Sequence, residues 1–134
     1  MTGASARLHV VVTAGPTREY IDPVRYLSNE SSGTMGFAIA RAAAAAGHRA
    51  TLVAGPVHQD TPEGVERVDV VSALEMLAAL EEHFPGADAI FMAAAVGDFR
   101  PAEKLDGKWK KKEEGGDGAV LHLVETPDLL ATIA

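Results

Sequence analysis

The stretch SNESSGTMG (28–36) gathers hydroxyls, an amide side chain and two glycines just ahead of an alanine-rich run. Ser31, Ser32 and Gly33 fall where a helix should begin. Free N–H groups and the dipole at a helix N-terminus favour an anion. Yet the spacing is neither G-x-G-x-x-G nor G-x-x-x-x-G-K-[ST], so neither standard phosphate loop applies. The same residues read equally well as an N-cap serine with glycines for close packing. Farther on, KWKKK (108–112) is the dense positive cluster of an acidic chain. Its lysines can close over a polyphosphate and neutralise it, or they can be a solvated loop. Asp98 directly follows AIFMAAAV, where a ligand-directed side chain is aimed, and is also a ready turn former. His9, His48, His58, His83 and His122 show no metal spacing. No Ser-His-Asp order is legible, and with no cysteine there is no thiol nucleophile.

These groups need a scaffold, and the apolar pattern supplies one. LHVVVTAG (8–15) is a short β-branched run closed by Gly15 and Pro16, the mark of a buried strand. A long polar segment (16–32) follows, broken by Pro23 and carrying Arg18, Glu19, Asp22, Arg25 and Asn29. GFAIARAAAAAG (36–47) predicts a helix with Gly47 as its stop. RATLVAG (49–55) and VERVDVV (65–71) read as strands. SALEMLAALEEHF (72–84) reads as a helix opened by a Ser72–Glu75 capping box. ADAIFMAAAV (87–96) is an apolar strand. Residues 97–118 are charged and glycine-rich, a loop or weak hairpin. AVLHLVE (119–125) can return as a strand, and TPDLLATIA (126–134) predicts a helix with Thr126 as N-cap and Pro127 at N1. Strands alternating with helices imply an α/β fold: a Rossmann-like parallel sheet with helices on both faces, residues 1–134 forming a single domain. Ligands of such sheets bind beyond the carboxyl ends of the strands, which here carry loops 14–35, 55–64 and 96–118.

Composition narrows the classes. One domain of 134 residues can bury a core without staples. A net charge of −7 and a pI near 5.1 argue against nucleic acid as partner. The N-terminal apolar run is only strand length, and no stretch has the 18 to 20 apolar residues of a membrane helix. A cysteine-free chain fits a reducing cytoplasm.

Read together, VTAGPTREYIDPVRYLSNESSGTMGFAIA, TLVAGP, AAAVGDFRP, KWKKK and TPDLLA resemble phosphopantothenate–cysteine ligase, the synthetase domain of the bacterial bifunctional coenzyme A biosynthesis flavoprotein. The resemblance runs over nearly all of residues 8–134. It implies CTP-dependent ligation of 4′-phosphopantothenate to cysteine through an acyl-cytidylate, with Mg²⁺ accompanying the triphosphate and metal ligands left open. It implies catalytic roles for Asn29, which supports the acyl intermediate, and Lys108, which activates the nucleotide. Gly15, Ser31, Ser32, Gly33, Asp98, Lys108, Pro127 and Asp128 become nucleotide contacts. Arg25 and Asn29 become substrate contacts. A homodimer in the full-length form and a flavoprotein decarboxylase as candidate partner also follow. The physics is compatible: both bound reactants are anionic, and a neutral asparagine can hydrogen-bond an acyl carbonyl without repelling the phosphate beside it.

The chain departs from the family pattern at Thr34, where a basic residue is common, and at Thr126, where asparagine usually precedes Pro-Asp. A FAAET-like strand and a later lysine pair are not present, so the chain reads as the N-terminal portion of a longer ligase domain. Two alternatives stay open: a non-catalytic nucleotide- or phosphopantothenate-binding module, and an NAD(P)-dependent oxidoreductase. The long first strand-to-helix connection, and LVAGPV without an acid for a ribose, oppose the second.

Overall fold

The chain's β-branched and alanine-rich segments form a doubly wound α/β layer structure, here in a computed structural model that describes residues 6–111, 116 and 118–134. The elements run β1 (His9–Ala14), β2 (Arg18–Asp22), β3 (Arg25–Ser28), α1 (Thr34–Ala45), β4 (Arg49–Ala54), β5 (Val65–Asp69), α2 (Ala73–His83), β6 (Ala89–Met92), β7 (Phe99–Pro101), β8 (Leu123–Glu125) and α3 (Leu129–Ile133). Four strands make one parallel sheet in the order β5-β4-β1-β6. Strand order therefore reverses beside β1, and the gap between the carboxyl ends of β1 and β6 is the switch point where such sheets bind ligands.

Alternation along β1 explains why both faces are covered. Val10, Val12 and Ala14 point to one side and pack with Leu52, Ala54, Phe37 and Ala40 of α1. Val11 points to the other and packs with Val53, Met76, Leu80 and Leu129. Helices thus lie on both faces, as the alternating pattern implies. Gly36 fits α1 to the sheet: a Cβ there would lie 2.3 Å from the Ala14 Cβ and 2.8 Å from the Thr13 oxygen. α2 opens with the expected capping box, Ser72 accepting from the Glu75 N–H while Glu75 accepts from the Ser72 N–H.

Three expectations need correction. Residues 16–32 are not irregular: β2 and β3 pair as an antiparallel hairpin around Asp22-Pro23-Val24-Arg25. The Asp22 side chain accepts from the Val24 and Arg25 N–H groups at 2.9 and 2.8 Å, so Pro23 builds a turn rather than ending structure. Residues 119–125 do not rejoin the parallel sheet; only β8 is strand, paired antiparallel with β7 as a weak hairpin. The last helix is capped by Asp128, whose carboxylate accepts from the Ala131 N–H at 3.0 Å, and not by Thr126. The Thr126 hydroxyl instead donates to the Gly97 carbonyl, which ties the helix entry to the chain leaving β6.

Candidate functional site

The site grows from the end of β1. Gly15 has φ 78°, a left-handed conformation glycine adopts without strain. The chain then runs alongside the extension of β6. The Ala93 N–H donates to the Thr13 carbonyl, the Ala95 N–H to the Gly15 carbonyl, and the Gly97 N–H to the Thr17 hydroxyl, at 3.2, 2.8 and 2.9 Å. Val96-Gly97-Asp98 is thereby fixed over the switch point. The hairpin returns the chain to the same place. Ser28 donates to the Thr17 carbonyl at 2.8 Å, and Asn29 Nδ2 donates to the Ala95 carbonyl at 3.3 Å. Asn29 is otherwise exposed, so its second amide proton and its oxygen face solvent above the crevice.

Ser31 and Ser32 lead into α1. Gly33 occupies the N-cap position with φ 79°, and no side chain caps the helix. Ser31 accepts from the Gly33 N–H and Ser32 from the Thr34 N–H at 3.3 and 3.4 Å, long contacts that leave the first turn weakly satisfied. A Cβ on Gly33 would meet the Gly15 nitrogen at 3.4 Å, so the two glycines bring loop and helix start together.

Asn29 and Asp98 line one cavity of about 260 Å³ with Ser28, Gly97 and Phe99. Asp98 and Phe99 also border a cavity of about 500 Å³ that carries Pro127 and Asp128. Eight of the residues singled out by sequence thus gather about the β1 and β6 ends: Gly15, Asn29, Ser31, Ser32, Gly33, Asp98, Pro127 and Asp128.

Arg25 and Lys108 do not join them. Asp22, with a fully buried side chain, accepts from the Trp109 N–H and from Arg25 Nη1 at 2.8 and 2.9 Å. Arg25 Nη1 also donates to the Trp109 carbonyl at 2.6 Å. This clamp pins the lysine segment to the hairpin tip, at the far end from Asn29. Burial pushes the Asp22 carboxyl up, but N–H donors from Trp109, Val24 and Arg25 and the Arg25 charge outweigh it, so its pKa is lowered. Lys108 is exposed, and among the described residues it has no hydrogen bond to Asn29, Asp98 or the serines. Arg25, Trp109, Lys110 and Lys111 line a cavity of their own. Lys112, the last of the run, lies outside the described residues.

Several neighbours escaped the sequence reading. Gly55 approaches so closely that a Cβ would lie 1.7 Å from the Pro16 oxygen. Gln59, from the loop after β4, donates to the Ser32 carbonyl. Arg67 holds that loop by donating to the Gln59 carbonyl at 2.5 Å, with its guanidinium 5.0 Å from the centre of the Phe37 ring. Glycine after a strand was a visible signal for the first; nothing local marks Gln59. His9 lies at the opposite, amino end of β1 with Nε2 2.9 Å from the Thr51 hydroxyl. Burial first and the Arg49 charge second lower its pKa, and it serves the scaffold. Among the described residues no group of three His, Asp or Glu could hold a metal ion, and no helix is long and apolar enough to cross a membrane.

Residues 5–134 match the family model described as the DNA/pantothenate metabolism flavoprotein C-terminal domain. The chain belongs to this family. It is 50% identical over 127 residues to the coenzyme A biosynthesis bifunctional protein CoaBC of Escherichia coli K12, covering 95% of this chain and 31% of that protein. It is 48% identical over 125 residues to the CoaBC of Vibrio cholerae, covering 93% and 31%. The crystal structure of the C-terminal domain of CoaBC matches with a TM-score of 0.81 at 39% identity, covering 98% of this chain and 60% of that one. The family resemblance read from SNESSG, AAAVGD and KWKKK is borne out. The chain spans about a third, 31%, of the curated relatives it matches.

Proposed function

We propose that this chain supplies the nucleotide- and acyl-binding part of a phosphopantothenate–cysteine ligase. The 4′-phosphopantothenate carboxylate attacks the α-phosphorus of CTP; the new P–O bond gives an acyl-cytidylate, and pyrophosphate leaves. The free amine of cysteine then adds to the acyl carbonyl. The amide forms, the amine proton is lost, and CMP departs with the electrons of the acyl–oxygen bond.

The observation that carries this reading is the Asn29 amide held on the Ala95 carbonyl at the switch point, beside an uncapped α1. One amide proton is used for that bond, and the other is available to the acyl carbonyl, where negative charge develops as the amine adds. Gly15, Ser31, Ser32 and Gly33 offer N–H and hydroxyl groups for phosphates, while Asp98, Pro127 and Asp128 border the nucleoside. Arg25, held at the hairpin tip by Asp22, would serve the anionic acyl substrate at its end remote from the Asn29 crevice. Lys108 is exposed beside the Trp109 anchor, and to reach the triphosphate its segment must leave the Asp22 clamp when nucleotide arrives. Mg²⁺ would accompany the triphosphate and neutralise part of its charge; among the described residues there is no acidic cluster to hold it, and no residue is assigned to it. CTP as the base, a homodimer in the longer protein, a cytoplasmic setting and a flavoprotein decarboxylase partner complete the proposal; the relatives' bifunctional name supports the last.

Thermal melting tests it. CTP with Mg²⁺ should raise the melting temperature by mass action, more than ATP, with NADPH inert. Pyrophosphate release by the longer protein should require CTP and phosphopantothenate together. Stabilisation by NADPH and none by CTP would overturn the ligase reading.

A further inference from the structure

β7 separates two environments. Phe99 faces the Asn29 and Asp98 cavities, whereas Arg100 lines a different one of about 420 Å³. Arg18 and Lys104 line that second cavity too, so three cationic side chains converge there in a chain of net charge −7. Among the described residues none of the three forms an ion pair, since those pairs use other residues. Arg18 lies 4.5 Å from the centre of the Tyr26 ring, and Lys104 lies 5.7 Å from that of Tyr20. The two rings pack at 5.2 Å, so this ladder orients the cations without cancelling their charge.

The carboxylates at the same cavity are already committed. Glu19 accepts from the Ala73 N–H at 3.1 Å, and Glu75 accepts from the Val71 and Ser72 N–H groups at 3.1 and 3.0 Å. The start of α2 is therefore capped by protein groups, and at the cavity three cations outnumber the two carboxylates. Arg100 Nε is buried and has no acceptor. Nε is closed to solvent, so an oxyanion in the cavity would meet this guanidinium through its terminal nitrogens.

We propose that Arg100, Arg18 and Lys104 form a second oxyanion site, separate from the Asn29 crevice, that takes a phosphoryl dianion. Guanidinium groups match a phosphate by paired N–H donors, and the ammonium adds a point charge. Val71 and Leu74, 37% and 43% exposed, line the same cavity. They give the carbon stem of a phosphate monoester an apolar wall to lie on. The site does not depend on the ligase reading.

Titration with inorganic phosphate, followed by ¹H–¹⁵N NMR of this chain, tests it. The Arg100 and Arg18 side-chain Nε signals should shift saturably. Arg100→Gln should weaken that binding by at least about tenfold, the worth of one charge-assisted contact, and leave any shifts at Gly33 and Thr34 intact. Arg100→Lys should retain part of the affinity. If Arg100→Gln does not fold, Lys104→Gln, at an exposed side chain, should still cost several-fold. Butyl phosphate binding more tightly than inorganic phosphate would assign the site to monoesters, and equal binding to free phosphate; both uphold it. No saturable shift at either arginine, shifts confined to residues 31–36, or affinity unchanged in both Arg100→Gln and Lys104→Gln would overturn it.

Discussion

At the scale of single residues, the crevice depends on side chains that do little for stability. Asn29 is exposed and anchored by one hydrogen bond at 3.3 Å. Asn29→Ala should therefore leave the melting temperature and nucleotide binding nearly unchanged. Loss of an oxyanion-type contact of this kind should slow amide formation by roughly 10² to 10³. Rate measurement in the longer protein decides; wild-type turnover would make Asn29 only a helix-entry residue. The lysines differ among themselves by position. Lys108 adjoins Trp109, whose backbone is clamped by Asp22 and Arg25, whereas Lys110 and Lys111 face another cavity. A screened surface charge contributes under about 1 kcal/mol. A charge-assisted phosphate contact contributes about 1.5–3 kcal/mol. Lys108→Gln should thus weaken triphosphate use at least about tenfold, Lys110→Gln should be almost silent, and Trp109 fluorescence should change on nucleotide addition. Small, equal losses with no Trp109 response would leave the run a solvated loop.

At the scale of elements, the β2–β3 hairpin positions both ends of the proposed chemistry. Its base carries Asn29, and its tip carries the buried Asp22 that holds Trp109. Asp22 has a lowered pKa in the folded chain. The unfolded chain then binds more protons in the window between the two values, so stability rises with pH there. The contribution is fully present above the ordinary carboxylate pKa and is lost as pH falls through the folded one. Asn at this position can still accept from Val24 and Arg25, but its NH₂ would confront the Trp109 N–H and the Arg25 guanidinium. Asp22→Asn should lower the melting temperature near neutrality, and the gap to wild type should close as the solution is acidified. A gap that stays constant down the acid limb would show that Asp22 acts by shape alone.

The same hairpin shows what a sequence conceals. The buried strands, α1 and the α2 capping box were legible, because β-branched runs, alanine and Ser-x-x-Glu act locally. Asp98 stands out by its position after the strand AIFMAAAV, whereas Asn29 is marked by the resemblance of SNESSG to the family and not by local pattern. The hairpin is less legible, because Pro23 taken alone reads as a breaker, whereas Asp-Pro between REYI and RYLS is a turn signature. The clamp from Asp22 to Trp109 and the bond from Gln59 to Ser32 join residues far apart in the chain, and no local pattern reports such pairs. Close approach is equally silent. Gly36→Ala should gain up to about 1 kcal/mol of helix propensity yet lose about 1–3 kcal/mol by overpacking against Ala14. Calorimetry should find a net loss of several degrees; a stabilised variant would mean that α1 can retreat from the sheet.

At the scale of the whole molecule, the sheet has two edges. Among the described residues β5 is paired only with β4, and β6 only with β1. β6 carries Phe91, which is 46% exposed, so its free side offers both unpaired backbone groups and an apolar ring. An open edge of this kind is a template for pairing with another chain. Opposing it is the net charge of −7, which makes two copies repel at low ionic strength. Attraction is short-ranged and repulsion is screened by salt, so the balance should tip with ionic strength. Light scattering on the 14.0 kDa chain should therefore report a monomer in dilute, low-salt solution and a rising mean mass as concentration or salt increases. Phe91→Lys puts a charge on the edge and removes the ring, and it should keep the chain monomeric under the same conditions without lowering its melting temperature, since the side chain is not in the core. A tight dimer at every concentration, unaffected by Phe91→Lys, would show that a complete interface lies elsewhere within these residues.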